Sequence, residues 1–192
     1  CIRHNQMKKF IEILFVIFLI LILTVPIIAL YTVIFITTKG SPIFWSDRIG
    51  MNNKTFKMPK FRTLDIDTPL VATHLIDEKN LKFSPCGSFL RRYSLDELPQ
   101  LFSIIKGDLA LVGPRPALFN QYDLINLRTK FNVHKIKPGI TGWAQVNGRD
   151  NLSIKEKVEY DVEYLQKRSI KFDLYILFLT FFKIIKNSDI RH

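Results

Sequence analysis

From Ile13 to Ile36 the chain carries no charged side chain. As one helix that stretch is about 36 Å long, enough to cross the hydrocarbon of a bilayer. It is too long for the apolar part of a signal peptide, and no small-residue cleavage site follows it. The segment belongs in a membrane. Pro26 lies near its middle, where it removes a backbone hydrogen bond and costs about 3 kcal/mol unless the helix bends. Thr24 is expected to offer its hydroxyl to a freed carbonyl and ease such a kink. Arg3, Lys8 and Lys9 precede the segment and Lys39 and Arg48 follow it, so positive charge on both sides gives no orientation. A bent hairpin returning to its own leaflet and a kinked spanning helix both satisfy these flanks.

The remainder, 40–192, reads as one mixed α/β domain with many turns. Short strands are expected at Ile43-Phe44-Trp45 and Thr55-Phe56-Lys57-Met58, around a turn at Gly50–Asn53. Residues 65–85 read as loop. Leu95, Leu98, Leu101, Phe102 and Ile105 fall at helical spacing, which predicts a helix over 95–106 ended by Gly107. A second helix is expected over 117–129, a strand pair over 140–147 and a charged helix over 153–167. Phe172–Ile185 is apolar but too short to span, and fits either a core helix or one lying in the membrane interface. Cys1 and Cys86 are too few for a disulfide framework, which suits a reducing, cytosolic setting, and Cys86 reads as a small packed residue. Met7-Lys8-Lys9 offers a start of its own, so residues 1–6 read as an extension or the cut edge of a longer chain.

The chain holds 28 Lys+Arg against 17 Asp+Glu, a formal charge of +11. That balance suits nucleic acid, an anionic membrane or phosphorylated substrates, and no nucleic-acid-binding signature accompanies it. The histidines show no metal-ligand spacing, and there is no C-x-x-C, G-x-S-x-G or Walker loop. Attention falls on Ser94-Leu95-Asp96-Glu97-Leu98-Pro99. Ser94 and Glu97 have the spacing of a capping box, so the acids could simply complement a helix N-terminus, worth about 0.3–1 kcal/mol each. They could equally share a Mg²⁺ with substrate phosphates, or supply a nucleophile that forms an acyl phosphate. Arg91 and Arg92 just upstream, Arg115 between two prolines, and Lys60 and Arg62 around Phe61 are the cations suited to phosphate.

Five runs in order carry a resemblance over nearly the whole chain from Lys8: Asp47-Arg48-Ile49-Gly50; Lys60-Phe61-Arg62-Thr63; Ser94 to Leu101; Val112-Gly113-Pro114-Arg115-Pro116; and Pro138 to Arg149. The sequence resembles the bacterial sugar transferases, the small monotopic phosphoglycosyl transferases. The resemblance implies transfer of a sugar-1-phosphate from a UDP-sugar to undecaprenyl phosphate, with Mg²⁺ and release of UMP, which starts a lipid-linked glycan. It implies that Asp96 is the nucleophile of a phosphosugar-aspartyl intermediate and that Glu97 assists with metal or proton handling, the two together holding the metal. Arg91 and Arg115 are implied phosphate ligands, and Lys60, Arg62 and Arg149 join them as candidates. It implies a re-entrant membrane helix within 1–39, broken at Thr24-Val25-Pro26, and a cytosolic catalytic domain over 40–192 with interfacial amphipathic helices, on the cytoplasmic leaflet of the bacterial inner membrane. Here Val25-Pro26 stands where the family often has Ser-Pro, and Glu12 where an aspartate is commoner. An acetamido-deoxy sugar is the donor the resemblance suggests, with specificity expected in 65–85. The rival readings are a non-catalytic membrane-tethered module that binds anionic lipid or nucleotide sugars, and a glycosyltransferase that moves the sugar alone.

Overall fold

The computed structural model describes residues 2–38, 40–65 and 82–186. The first element, α1 (Ile2–Thr37), is helical throughout, with Pro26 inside it. Thr24 Oγ1 donates to the Ile20 carbonyl at 2.7 Å, whereas the carbonyl that Pro26 frees is that of Ile22. The expected rescue of the freed carbonyl by Thr24 is therefore corrected: a helical threonine reaches back about one turn, which from position 24 leads to residue 20.

One face of α1 is stitched to the rest of the chain along its length. Val16 packs with Met58, Leu101, Ile104 and Leu109, and Ile20 and Leu23 join that cluster. Ile34 packs with Phe61 and Leu90, together with Ile27 and Leu30. The Glu12 carboxylate accepts the Leu111 backbone N–H at 2.5 Å. These positions recur at steps of four and three, the signature of a single helical face. The opposite face is bare: Phe10, Phe15, Phe18, Leu21, Val25 and Phe35 are 45–75 % exposed. Left in water, such residues would each forgo about 1.5–3 kcal/mol, a sum comparable with the 5–15 kcal/mol that typically holds a whole domain together.

Beyond α1, β1 (Ile43–Ile49) and β2 (Thr55–Phe61) form an antiparallel hairpin, with Ile43 opposite Phe61 and Ile49 opposite Thr55. Asn52 and Asn53 take the left-handed conformation at its tip, which asparagine tolerates better than most residues. The helix expected over 95–106 is divided. Leu95–Gln100 is a 3₁₀ turn containing Pro99, and α3 (Leu101–Lys106) follows it, ending at Gly107 with φ 94°. A preceding short helix, α2 (Gly87–Arg92), has no counterpart in the sequence reading. Cys86 packs at its start against the Ile34–Phe61–Leu90 cluster. Most of the loop expected over 65–85 lies outside the described residues, and its ends are joined by a bridge between Leu64 and Phe83.

The second sheet is parallel, β3 (Ala110–Val112) beside β4 (Gly139–Thr141). The strand pair expected over 140–147 is corrected: β4 stops at Thr141, and α5 (Trp143–Val146) follows. The helix expected over 117–129 is α4 (Tyr122–Lys130), because 117–121 is spent on the loop after Arg115. The last two helices are α6 (Ile154–Lys167) and α7 (Ile170–Lys186). On α7, Ile176 is fully buried, while Leu174, Phe178 and Phe181 are 58–62 % exposed.

β3 and β4 approach so closely that the loops leaving them depend on glycine. A Cβ at Gly139 would lie 2.1 Å from the Gly113 nitrogen, and one at Gly142 would lie 2.1 Å from the Gly113 carbonyl oxygen. Both clashes are with backbone, which cannot swing aside. Gly139→Ala is expected to cost about 1–3 kcal/mol, read as a lower midpoint of chemical unfolding in detergent. An unchanged midpoint would contradict this packing of β3 on β4.

Candidate active site

The acid pair sits in the 3₁₀ turn, which together with α3 spans both apolar clusters that hold α1. Leu95 and Leu98 pack on the Ile34 cluster, and Leu101 and Ile104 on the Val16 cluster. Between them Asp96 is 8 % exposed. Residues 58 and 60 share one face of β2. Met58 from that face enters the Val16 cluster and Lys60 reaches the acids.

The expected capping box does not form. Ser94 is left-handed, φ 54° and ψ 23°, and makes no side-chain cap bond. An N-cap residue needs extended dihedrals to aim its oxygen at the first free amides. The same S-x-x-E spacing does form a capping box at Ser153–Glu156, where Ser153 is extended (φ −61°, ψ 162°) and its N–H donates to Glu156 Oε2 at 2.7 Å. Glu97 is instead taken by cations. Lys60 Nζ donates to Glu97 Oε1 at 2.8 Å, and Arg115 Nη2 donates to the same oxygen at 3.3 Å. Asp96 Oδ2 stands 3.8 Å from Lys60 Nζ, beyond hydrogen-bonding distance.

These surroundings separate the two acids. Burial opposes the charged form of Glu97, but Lys60, Arg115 and Arg149 outweigh it and hold the carboxyl well below the usual carboxylate range. Burial pushes Asp96 above that range, opposed by Lys60 and reinforced by the neighbouring Glu97 charge, with Arg91 and Arg115 opposing it further. Burial also pulls Arg91 down, against the field of Asp96. Arg48, lowered to about 10 by burial and then by Arg115, feels Glu97 as well. The site therefore has a surplus of positive charge with little water to screen it, which is what a diphosphate needs.

Lys60, Arg91, Arg115 and Arg149 all act electrostatically on the acid pair, and the first and third touch it. Arg91 is steadied by Nε donating to Thr63 Oγ1 at 2.9 Å and by the Phe83 ring. Arg62 is not brought to the acids: its Nε donates to the Ser41 carbonyl at 2.8 Å and its guanidinium covers the Phe44 ring. Strand alternation alone would put position 62 on the face that carries Lys60, but β2 ends at Phe61, so the alternation does not extend to Arg62. Arg48 belongs with the site but was not singled out as a site residue in the sequence. Its only signal was its place in the Asp47-Arg48-Ile49-Gly50 run. Among the described residues no three His, Cys, Asp or Glu side chains gather as a metal cage. Two adjacent carboxylates, one with an oxygen already committed to Lys60 and Arg115, fit a Mg²⁺ completed by substrate phosphate oxygens and water rather than by protein.

The family model described as bacterial sugar transferase matches residues 3–187. A Bacillus subtilis protein named uncharacterized sugar transferase EpsL is 41 % identical over 86 % of this chain and 81 % of its own length. The UDP-glucose:undecaprenyl-phosphate glucose-1-phosphate transferase of Escherichia coli is 38 % identical over 96 % of this chain, which spans 41 % of that protein. The exopolysaccharide production protein ExoY of Sinorhizobium fredii is 36 % identical over 74 % of this chain and 70 % of its own length.

The charge arrangement is open to direct titration. In a sample with ¹³C-labelled carboxylates, Asp96 is expected to titrate above a free aspartate and Glu97 below a free glutamate. Lys60→Met removes a cation that favours both charged forms, so both transitions move to higher pH. An Asp96 transition that stays in place, or falls, would contradict the geometry.

Proposed function

This chain belongs to the bacterial sugar transferase family, and from that premise we propose that it moves a sugar-1-phosphate from a UDP-sugar to undecaprenyl phosphate and releases UMP. The observation that carries the proposal is the unequal acid pair. Glu97 is neutralised by Lys60 and Arg115, while the more basic Asp96 carboxylate is left beyond hydrogen-bonding distance of Lys60. A helix cap needs none of this.

In the first half-reaction an Asp96 oxygen attacks the phosphorus that bears the sugar. The bond from that phosphorus to the bridging oxygen breaks, and UMP leaves with that oxygen and its electron pair. An oxygen of the lipid phosphate then attacks the same phosphorus, the bond to Asp96 breaks, and the carboxylate is restored. Lys60, Arg91 and Arg115 hold phosphate oxygens and offset the charge that builds on them. Asp96 and Glu97 would hold a Mg²⁺, which would supply further neutralisation of phosphate charge. Holding the phosphosugar on Asp96 lets a soluble donor and a lipid acceptor use one site in turn.

The membrane arrangement follows from α1. Val16 and Ile34 are about 27 Å apart along the helix, yet both pack on the same domain. A helix crossing a hydrocarbon layer of about 30 Å could not keep both contacts with a domain on one side. This supports a helix that enters and leaves by one leaflet, with the exposed apolar side of α7 resting in the interface; the domain is proposed to lie on the cytoplasmic face.

Asp96→Asn keeps size and polarity but removes the nucleophile, and is expected to lower UMP release at least about 10³-fold. A purified variant that still transfers would defeat the aspartyl mechanism, and release of UDP in place of UMP would show that the sugar moves alone. The donor panel should pair UDP-glucose, named for the E. coli relative, with UDP-N-acetyl sugars. For topology, cysteines introduced at Lys9 and at Ser41, with Cys1 and Cys86 replaced by serine, are expected to react with an impermeant maleimide only after the cytoplasmic side is opened. Labelling of either from outside intact cells would rule out the same-leaflet arrangement.

A further inference from the structure

The loop that carries Arg115 is held by its carbonyls. Gly139 N–H donates to the Pro114 oxygen at 3.0 Å and Ile49 N–H to the Ala117 oxygen at 2.9 Å. Arg48 Nη1 donates to the Pro116 oxygen at 3.2 Å. The carbonyl of Arg115 itself accepts from Arg128 Nη1 at 2.7 Å. Four consecutive carbonyls are thus fixed by β4, α4 and β1, and the second of these residues, Arg115, is the one whose guanidinium lies on Glu97.

Arg128 can serve that carbonyl because α6 anchors its other end. Its Nε donates to Asp161 Oδ2 at 2.9 Å, and its Nη2 lies 2.7 Å from the same oxygen in an ion pair. The pair is sealed from water, with Arg128 9 % and Asp161 1 % exposed, behind the apolar cluster of Ala117, Leu124 and Val158. A buried ion pair of this kind adds little stability over apolar residues of the same volume. Its geometry, however, does something that an apolar pair cannot: it presents a third, aimed donor to the backbone of Arg115.

We infer that Arg128 and Asp161 are positioning residues for the transfer reaction, acting through the Arg115 carbonyl to hold the Arg115 guanidinium against Glu97 and the substrate phosphate. The inference rests on the reading of Arg115 as a phosphate-binding residue. Neither residue touches the acids. Lysine at 128 cannot replace arginine, because a single ammonium lacks the planar fork that serves Asp161 and the carbonyl at once.

The test is a double-mutant cycle in full-length protein, scored by kcat/KM for UMP release. Arg128→Lys is expected to lower it about 10²-fold, the scale of a displacement of about 1 Å at a reacting centre. In an Arg115→Ala background the same change should cost less than about 3-fold, because its target is gone. Losses that multiply would make Arg128 merely structural and overturn the inference. If Arg128→Lys does not fold, the apolar double variant Arg128→Met with Asp161→Leu takes its place. It is expected to melt near wild type yet lose activity to the same degree, and retained activity overturns the inference. Full activity in Arg115→Ala would defeat it too, together with the reading of Arg115. A wild type that releases no UMP from any UDP-sugar would defeat the proposed function instead. Hydrogen exchange over 113–118 then decides the positioning role: Arg128→Lys should speed it, and unchanged exchange overturns the inference.

Discussion

The seam between α1 and the α/β domain is the constraint on which the rest depends. The inner face of the helix is fixed at both ends, by Glu12 and Val16 on one side of Pro26 and by Ile34 on the other. The 3₁₀ turn and α3 lie across that seam, with Leu98 on one cluster and Leu101 on the next. Asp96 and Glu97 thus have their position set by the packing on α1. In lipid the apolar contacts of Val16 and Ile34 gain packing but little hydrophobic drive, since lipid tails would cover those residues as well. The charge-assisted bond from the Leu111 N–H to Glu12 supplies direction that apolar contacts lack.

Electrostatics then decides which acid does what. A carboxylate at an exposed helix end gains about 0.3–1 kcal/mol from the backbone dipoles. A hydrogen bond to a charged partner in a low-dielectric site contributes about 1.5–3 kcal/mol. Given Lys60 and Arg115 at hand, Glu97 goes to the cations, and the left-handed Ser94 leaves no cap to compete. Asp96 is one residue away, yet the same charges reach it less directly and burial prevails. Neighbouring titratable groups driven apart in this way are the pattern by which one site divides catalytic roles.

Much of this was legible in the sequence, and the misses have physical causes. The uncharged run, the hairpin around Gly50–Asn53, the Gly107 stop and the helix after Ser153 follow from local patterns, and local patterns decided them. The 95–106 helix began as a 3₁₀ turn because Pro99 cannot donate the bond an α-helix needs there. The strand pair expected over 140–147 rested on the turn residues at its two ends, but β4 has a partner of only three residues and stops at Thr141, and Trp143–Val146 is helical. The S-x-x-E spacing occurs twice and caps once, a difference set by the dihedrals of the serine and by which cations stand near the glutamate. At the site, Lys60, Arg115 and the acids were legible because they sit in short distinctive runs. Arg62 shared such a run and went elsewhere, to Ser41 and Phe44. Arg128 and Asp161 sit in ordinary helical sequence 33 residues apart, and a pairing across that distance leaves no local trace.

The two faces of α1 consequently carry different burdens. The outer face answers to lipid, where one apolar side chain substitutes for another at small cost because nothing specific touches it. The inner face answers to the 3₁₀ turn, where a change of volume at Val16 or Ile34 is passed to Leu101 or Leu98 and from there to the acids within a few residues. On the far side of the acids, the carbonyl-bound loop fixes Arg115. The acids are therefore held through the clusters on α1 and Arg115 through the carbonyls of its loop, and the bond from the Leu111 N–H to Glu12 ties the two supports together.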